Sequence, residues 1–256
     1  MIQHKIIHLH QTASTNDYLR ALPSPDNDSM TVVYADWQTA GRGQGSNKWE
    51  SEAGKNLLFS ILVCPTTIDI TRQFILSMAG ALAIKAALDK YTDGISLKWP
   101  NDIYWHDRKI SGTLIETSVK GRTLARCIYG TGLNVNQREF HSDAPNPVSL
   151  YNIIGVETPP EQLLDEILHH FDHYYTLAVS GHADAIVSQY HAALYRREGM
   201  HAYEDTATGE RFSARIDHIS ADGRLHLTLS DGTMREYTLK GRVCQNSLIL
   251  KKITKP

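Results

Sequence analysis

Short runs rich in β-branched and aromatic residues alternate along this chain with stretches of helical periodicity. IIHL (6–9), TVVYAD (31–36), LLFSILV (57–63) and ISLKW (95–99) predict strands. Between the last two, TRQFILSMAGALAIKAALDKY (71–91) combines helical periodicity with strong helix formers. Ser14-Thr15-Asn16-Asp17 predicts a helix start, with Ser14 and Asp17 at capping-box spacing ahead of YLRAL. The polar segment PSPDNDS (23–29) predicts a loop. DIYW, KISGTLIET and TLARCIYGTGLNVN continue as strands through about residue 136, mostly joined by hairpins, and residues 160–178 and 183–195 read as two helices. Strands with helices inserted, rather than strict βαβ alternation, predict an α+β domain built on a mixed or antiparallel sheet with flanking helices.

Near residue 199 the pattern changes. HAYEDT, RFSARIDHIS, GRLHLTLS, MREYTLKG and VCQNSLILK are short alternating segments separated by turn pairs such as Asp222-Gly223 and Asp231-Gly232. This predicts a small all-β barrel. The expected organisation is two domains, 1–198 and 199–256.

A length of 256 residues fits one large domain with a small companion, at roughly 100–200 residues per domain. With 41% hydrophobic and 21% charged residues the composition is that of a globular protein, which excludes disorder. A net charge of -2 gives the chain no global attraction for nucleic acid or anionic lipid. The longest apolar runs fall short of a membrane span, and the start lacks the apolar core of a signal peptide. Cys64, Cys127 and Cys244 are far apart and form no CxxC pair, so neither a disulfide framework nor a zinc site is expected. A cytoplasmic protein is expected.

The most informative stretch is Gln38-Thr-Ala-Gly-Arg-Gly-Gln-Gly-Ser-Asn-Lys-Trp49. Gly41, Gly43 and Gly45, with Arg42 and Lys48 beside them, describe a loop whose backbone can approach an anion closely. It is neither a Walker A loop nor a dinucleotide fingerprint, because Ser46 replaces the third glycine of the latter; GTGLNV (130–135) fails the same test. Read alone, it is a surface turn. Further along, Lys98-Trp-Pro-Asn-Asp102 places Asn101 and Asp102 directly after a strand, and Lys109 and Gly112 follow in RKISGTLIE. An acidic residue, a lysine and a glycine at a hairpin rim suit a metal-bound nucleotide and a developing charge.

Taken together, these segments resemble the biotin–protein ligases (biotin–[acetyl-CoA-carboxylase] ligases). The matching blocks run in order: Ser14-Thr15-Asn16, Gln38-Thr-Ala-Gly-Arg-Gly43, Lys48-Trp49, Lys98-Trp-Pro-Asn-Asp102, Lys109-Ile-Ser-Gly112 and Gly130-Thr-Gly-Leu-Asn134. The resemblance implies a catalytic domain of the class II synthetase and biotin-ligase type with an SH3-like barrel after it. It implies two reaction steps: biotin and Mg·ATP give biotinyl-5′-AMP and pyrophosphate, and biotin then passes to a lysine of a biotin carboxyl carrier domain. Two anions must meet in the first step, so the site needs cations that neutralise both.

By this resemblance Ser14, Thr15, Asn16 and Gln38 bind the ureido ring and tail of biotin, with Arg42, Gly43 and Gln44 of the loop closing over it. Lys109, near Gly112, sits between the biotin carboxyl and the α-phosphate; with Arg42 and Asp102 it forms the catalytic set. Trp49, Asn101, Asn134 and Lys48 serve the nucleotide. Asp102 either helps hold Mg²⁺ or orients the incoming lysine. The implied partner is the carrier domain, with no DNA and no membrane, and a homodimer is left open.

The chain departs from the family pattern at Gln44, where a second arginine is common, and at Ser46, where a later glycine is common. The expectation is weaker retention of the adenylate, or compensation by Lys48 or Lys55. The Ser-Thr-Asn block begins at residue 14, which leaves no room for the N-terminal winged helix-turn-helix some members carry, so no DNA-binding role is expected. The nearest rival reading is a lipoate–protein ligase; the rival from another class is a non-enzymatic biotin-binding module, which would not need Lys109, Asp102 and Arg42. His169 and His173, at i, i+4, read as a solvated helix face, and His8 and His10, on one face of a strand, read as surface or core packing. Trp99 divides evenly between pocket and core. Arg196-Arg197 and Lys251-Lys252 are expected to be exposed.

Overall fold

The apolar runs become the inner strands of a sheet. The computed structural model describes residues 2–43, 45, 47–141, 146–205, 208–238 and 248–249. In chain order the first part holds β1 (Gln3–Thr12), α1 (Thr15–Ala21), β2 (Ser29–Gln38), β3 (Leu57–Val63), a 3-10 turn (Ile70–Arg72), α2 (Phe74–Leu88), β4 (Ile95–Lys98), β5 (Asp102–Trp105), β6 (Arg108–Lys120) and β7 (Thr123–Leu133). Helices α3 (Leu150–Ile154), α4 (Pro160–Val179) and α5 (Ala183–Ala192) follow, then β8 (His201–Asp205), β9 (Arg211–Ile219), β10 (Leu225–Leu229), β11 (Met234–Tyr237) and β12 (Leu248–Ile249).

The first seven strands form one mixed sheet in the order β1-β2-β3-β7-β6-β5-β4; β1 runs parallel to β2 and the other pairs are antiparallel. The remaining strands form an antiparallel sheet, β11-β10-β9-β8-β12. The α+β class is thus present as expected.

Strand alternation divides the large sheet into two unlike faces. Val32, Phe59, Ile61 and Tyr129 point toward α2 and α4 and form the main core, where the Tyr129 and Phe171 rings meet edge-on with centroids 5.0 Å apart. Helix α2 is apolar nearly all round, as a helix buried between layers must be. The opposite face carries Val33, Leu62 and Ile128, which α1 covers only at one end through Leu19. The rest of that face is free for a site.

Local chemistry explains where the elements differ from expectation. The helix foreseen over 71–91 is divided: Asp69 caps a 3-10 turn by accepting from the Thr71 amide at 2.9 Å, and α2 proper ends at Leu88. The strand foreseen through Asn136 stops at Leu133, because the backbone of Asn134 turns to bond Ile110 and Leu150. Helix α3 has no strong periodic signature in the chain; it is one turn held by a Ser149/Asn152 capping box and closed by Gly155 at φ 75°.

Trp99 is core rather than pocket. It is buried, and its Nε1 donates to the Gly223 carbonyl at 2.9 Å, tying the β4–β5 connection to the Asp222-Gly223 turn of the second sheet. Cys64 and Cys127 are buried free thiols whose ionisation burial pushes upward. Cys244 and the Lys251-Lys252 pair lie outside the described residues. No helix is long and apolar enough to cross a membrane among those described.

Candidate active site

On the open face, β7 has no side chains at two successive inward positions. Gly130 lies opposite Ser60 of β3 and Leu114 of β6; Gly132 lies opposite Leu58 and Gly112. A Cβ on Gly130 would collide with the Asn16 amide, and a Cβ on Gly132 with the Trp49 indole. Glycine here lets two side chains rest directly on the sheet backbone, two residues or about 7 Å apart along the strand.

Around Asn16 is a buried polar nest. Ser14 caps α1, accepting from the Asp17 amide, which points Thr15 and Asn16 at the sheet. Gln38 Oε1 accepts from the Thr15 amide at 2.7 Å and from its hydroxyl at 3.1 Å. Ser60 Oγ lies 2.7 Å from Thr15 Oγ1 and 2.6 Å from Asn16 Oδ1. Asn16 Nδ2 donates to Glu116 at 2.9 Å. Burying hydroxyls and amides costs free energy unless they are paired. A nest like this on an apolar sheet therefore suits a ligand head group that itself donates and accepts.

The glycine loop stands beside the nest. The backbones of Arg42 and Lys48 pair as an antiparallel bridge, with the Gly43 amide donating to Asn47 O at 2.7 Å and the Trp49 amide to Gly41 O at 3.1 Å. The Arg42 guanidinium donates to Asp17 at 2.8 Å and lies 3.6 Å from Glu116, which also accepts from Arg20. These ion pairs are substantially exposed, so they hold the loop only weakly. Lys48 is exposed; Gln44 and Ser46 lie outside the described residues.

The second half of the site forms where β5 meets β6. Asp102 is opposite Gly112 and Ile103 opposite Ser111, but Tyr104 is opposite Lys109. This bulge inserts Ile110 into the core and turns Lys109 onto the same face as Asp102 and Gly112. Without it, alternation would aim Lys109 into the helix layer. Lys109 Nζ reaches Asp102 Oδ1 at 2.5 Å and stands 5.8 Å from the centre of the Trp49 ring. Lys98, opposite Asp102, donates to the Tyr104 hydroxyl at 2.9 Å. Burial pushes Lys98 down to about 8, and neighbouring Lys109 adds to the effect, against the pull of Asp102. Burial likewise pushes the Tyr104 phenol up.

The structure therefore brings Ser14, Thr15, Asn16, Gln38 and Arg42 together as one group and Trp49, Asp102, Lys109 and Gly112 as another, joined across Gly112, Gly130 and Gly132. Asn101 sits at the edge of the second group, its Nδ2 donating to Thr113 O at 2.7 Å. Asn134 is buried, with its Nδ2 engaged by Val148 O at 3.1 Å. Sequence reasoning missed Ser60, Glu116 and Asp17 as site residues. Ser60 had a signal, as the one polar residue in LLFSILV; Glu116 and Asp17 had none.

Residues 9–134 match the model of the biotin/lipoate A/B protein ligase family. Among curated relatives, a bifunctional ligase/repressor BirA from Bacillus spizizenii is 36% identical over 141 residues, covering 54% of this chain and 42% of that protein. A biotin--[acetyl-CoA-carboxylase] ligase from Mycobacterium tuberculosis is 34% identical over 158 residues, covering 58% and 55%. The aligned part is about half the length of these relatives or less. The crystal structure of a biotin protein ligase from Aquifex aeolicus in complex with biotin and ATP superposes with a TM-score of 0.78 at 25% identity, covering 96% of this chain and 99% of that one. The fold is that of the biotin-ligase catalytic domain, and the small C-terminal antiparallel sheet is consistent with an SH3-like domain.

Proposed function

We propose that this chain, whose residues 9–134 match the biotin/lipoate A/B protein ligase family, is a biotin–protein ligase. It activates biotin with Mg·ATP and transfers it to a lysine of a biotin carboxyl carrier domain. One observation carries the choice of acid: the nest formed by buried Thr15, Asn16 and Ser60 with half-buried Gln38. The ureido ring of biotin offers two N–H donors and a carbonyl acceptor to such a nest. The dithiolane of lipoate and the alkyl chain of octanoate offer no hydrogen bonds, and would leave these groups unpaired when they displaced water.

In the first step a carboxylate oxygen of biotin attacks the α-phosphorus, the bond to the β-phosphate breaks, and pyrophosphate leaves. Lys109, on the shared face near Gly112, stabilises the charge that builds between carboxyl and phosphate, with Arg42 released from Asp17 and Glu116 to assist. Trp49, Asn101, Asn134 and Lys48 form the nucleotide side, and Gly43 and Gln44 close over the adenylate, keeping water from the mixed anhydride. Asp102, beside Lys109, would either help hold the Mg²⁺ that accompanies the phosphates, where the ion would neutralise phosphate charge, or orient the incoming lysine. In the second step the carrier lysine amine attacks the acyl carbon and AMP leaves. Residues 1–198 form the catalytic domain and 199–256 the barrel domain. The protein acts in the cytoplasm, and as a homodimer if ligand binding couples two copies.

Biotin-dependent ATP–pyrophosphate exchange tests this reading, with lipoate and octanoate in parallel and Lys109→Ala as control. Exchange with biotin alone, lowered about 10²–10³-fold in the variant, is expected for loss of one preorganised cationic donor. Exchange with lipoate instead would move the protein to the sister activity, and tight biotin binding without exchange would make it a binding module.

A further inference from the structure

On the helix-facing side of the large sheet, away from the candidate active site, three potential metal ligands converge. We propose that His8, His10 and Asp36 bind a divalent transition-metal ion of the zinc class. His8 and His10 are two residues apart on β1 and so share a face. Leu9 pairs with Ala35 and Gln11 with Trp37, which sets His10 opposite Asp36 on the neighbouring parallel strand. His8 Nε2 lies 2.6 Å from Asp36 Oδ1 and His10 Nδ1 lies 3.0 Å from Asp36 Oδ2. The three ligand atoms all lie within 4.8 Å of one another, and no other such His/Cys/Asp/Glu group occurs among the described residues.

A tetrahedral ion with bonds of about 2.0–2.1 Å holds its ligands roughly 3.4 Å apart, so only a small rotation of one ring closes the site. His10 is free to supply it, because its side chain is 94% exposed. His8 is held in place, its ring stacked on Tyr34 with centroids 4.4 Å apart and planes 1° from parallel. The surrounding field favours a cation: Glu161 and Asp165 of α4 act on Tyr34 together with Asp36. Farther along the same face His4 is already paired with Asp172 at 2.8 Å. Two imidazoles and one carboxylate select zinc, cobalt, nickel or copper over magnesium, so the site does not compete for the magnesium of the nucleotide. A bound ion fastens β1 to β2 two residues before Gln38, leaving at least one coordination position for water.

Titration of the full-length chain with Co²⁺, followed by its visible d–d absorption, tests the assignment. One saturable site per chain is expected, displaced by Zn²⁺ and unaffected by tenfold excess Mg²⁺. His10→Ala and Asp36→Asn should each weaken Co²⁺ binding at least about tenfold, since even disturbing the shell behind a ligand costs that much. Removing the exposed helical pair with His169→Ala/His173→Ala should leave it unchanged. His10→Ala removes an exposed side chain and does not threaten folding, so its result is interpretable. Absence of a saturable site overturns the proposal, as does binding that survives His10→Ala or is lost in the helical double variant.

Discussion

A methyl group at position 130 has no space to occupy. Built on Gly130, it would stand 2.6 Å from Asn16 Cγ and 2.8 Å from its Nδ2, whereas ordinary contact begins near 3.4 Å. Gly130→Ala therefore forces the Asn16 amide back by more than about 1 Å, because Asn16 Oδ1 lies closer still than Cγ. That movement breaks its contacts with Ser60 Oγ at 2.6 Å and Glu116 at 2.9 Å. A neutral hydrogen bond contributes about 1 kcal/mol and one to a carboxylate about 1.5–3 kcal/mol, so roughly 2.5–4 kcal/mol is at stake. If the nest binds the ureido ring, most of this appears in substrate affinity. The KM for biotin in pyrophosphate exchange should then rise by about two to three orders of magnitude, at 1.4 kcal/mol per decade. The KM for ATP should change little, because Trp49 and Lys109 stand at Gly132 and Gly112. The companion Gly132→Ala should show the reverse, as its Cβ would displace the Trp49 ring. Calorimetry of both variants separates binding from folding. A folded Gly130→Ala with a biotin KM within about threefold of the parent would refute the assignment of the nest to biotin.

Other outcomes follow from the same geometry. Lys98 is held down to about 8 in the folded chain against 10.5 when unfolded, so the unfolded state binds more protons between those values and stability rises with pH across that window. The penalty is fully present below pH 8 and amounts to about 3 kcal/mol; urea unfolding at several pH values should show this slope in the parent and not in Lys98→Met. Trp99→Phe removes the donor to Gly223 O, and calorimetry should register a loss of about 1–3 kcal/mol, with earlier proteolysis between the two sheets. Gln44→Arg restores a cation to the glycine loop and should slow adenylate release, as measured by chase of labelled biotinyl-AMP; an unchanged off-rate would show that Gln44 is not what limits retention.

Much of this protein was legible along the chain. Strand and helix periods are local properties, so LLFSILV, DIYW and the helix beginning at Pro160 were found within a residue or two. The ordered blocks around Arg42, Asp102 and Lys109 marked the candidate site, because their spacing reflects backbone geometry that few other residues can supply. What the sequence did not reveal depends on register and on which strands become neighbours. Glu116 meets Asn16 across a hundred positions, and Gly130 matters because α1 comes down on it. A single bulged residue, Ile110, decides that Lys109 joins Asp102 instead of turning away. His8 and His10 could be placed on one face from their spacing, yet only the parallel pairing of β1 with β2 supplies Asp36. A chain specifies by its local period which way each side chain points, but the atoms it will meet are chosen when distant strands pair, and at that pairing the site acquires its chemistry.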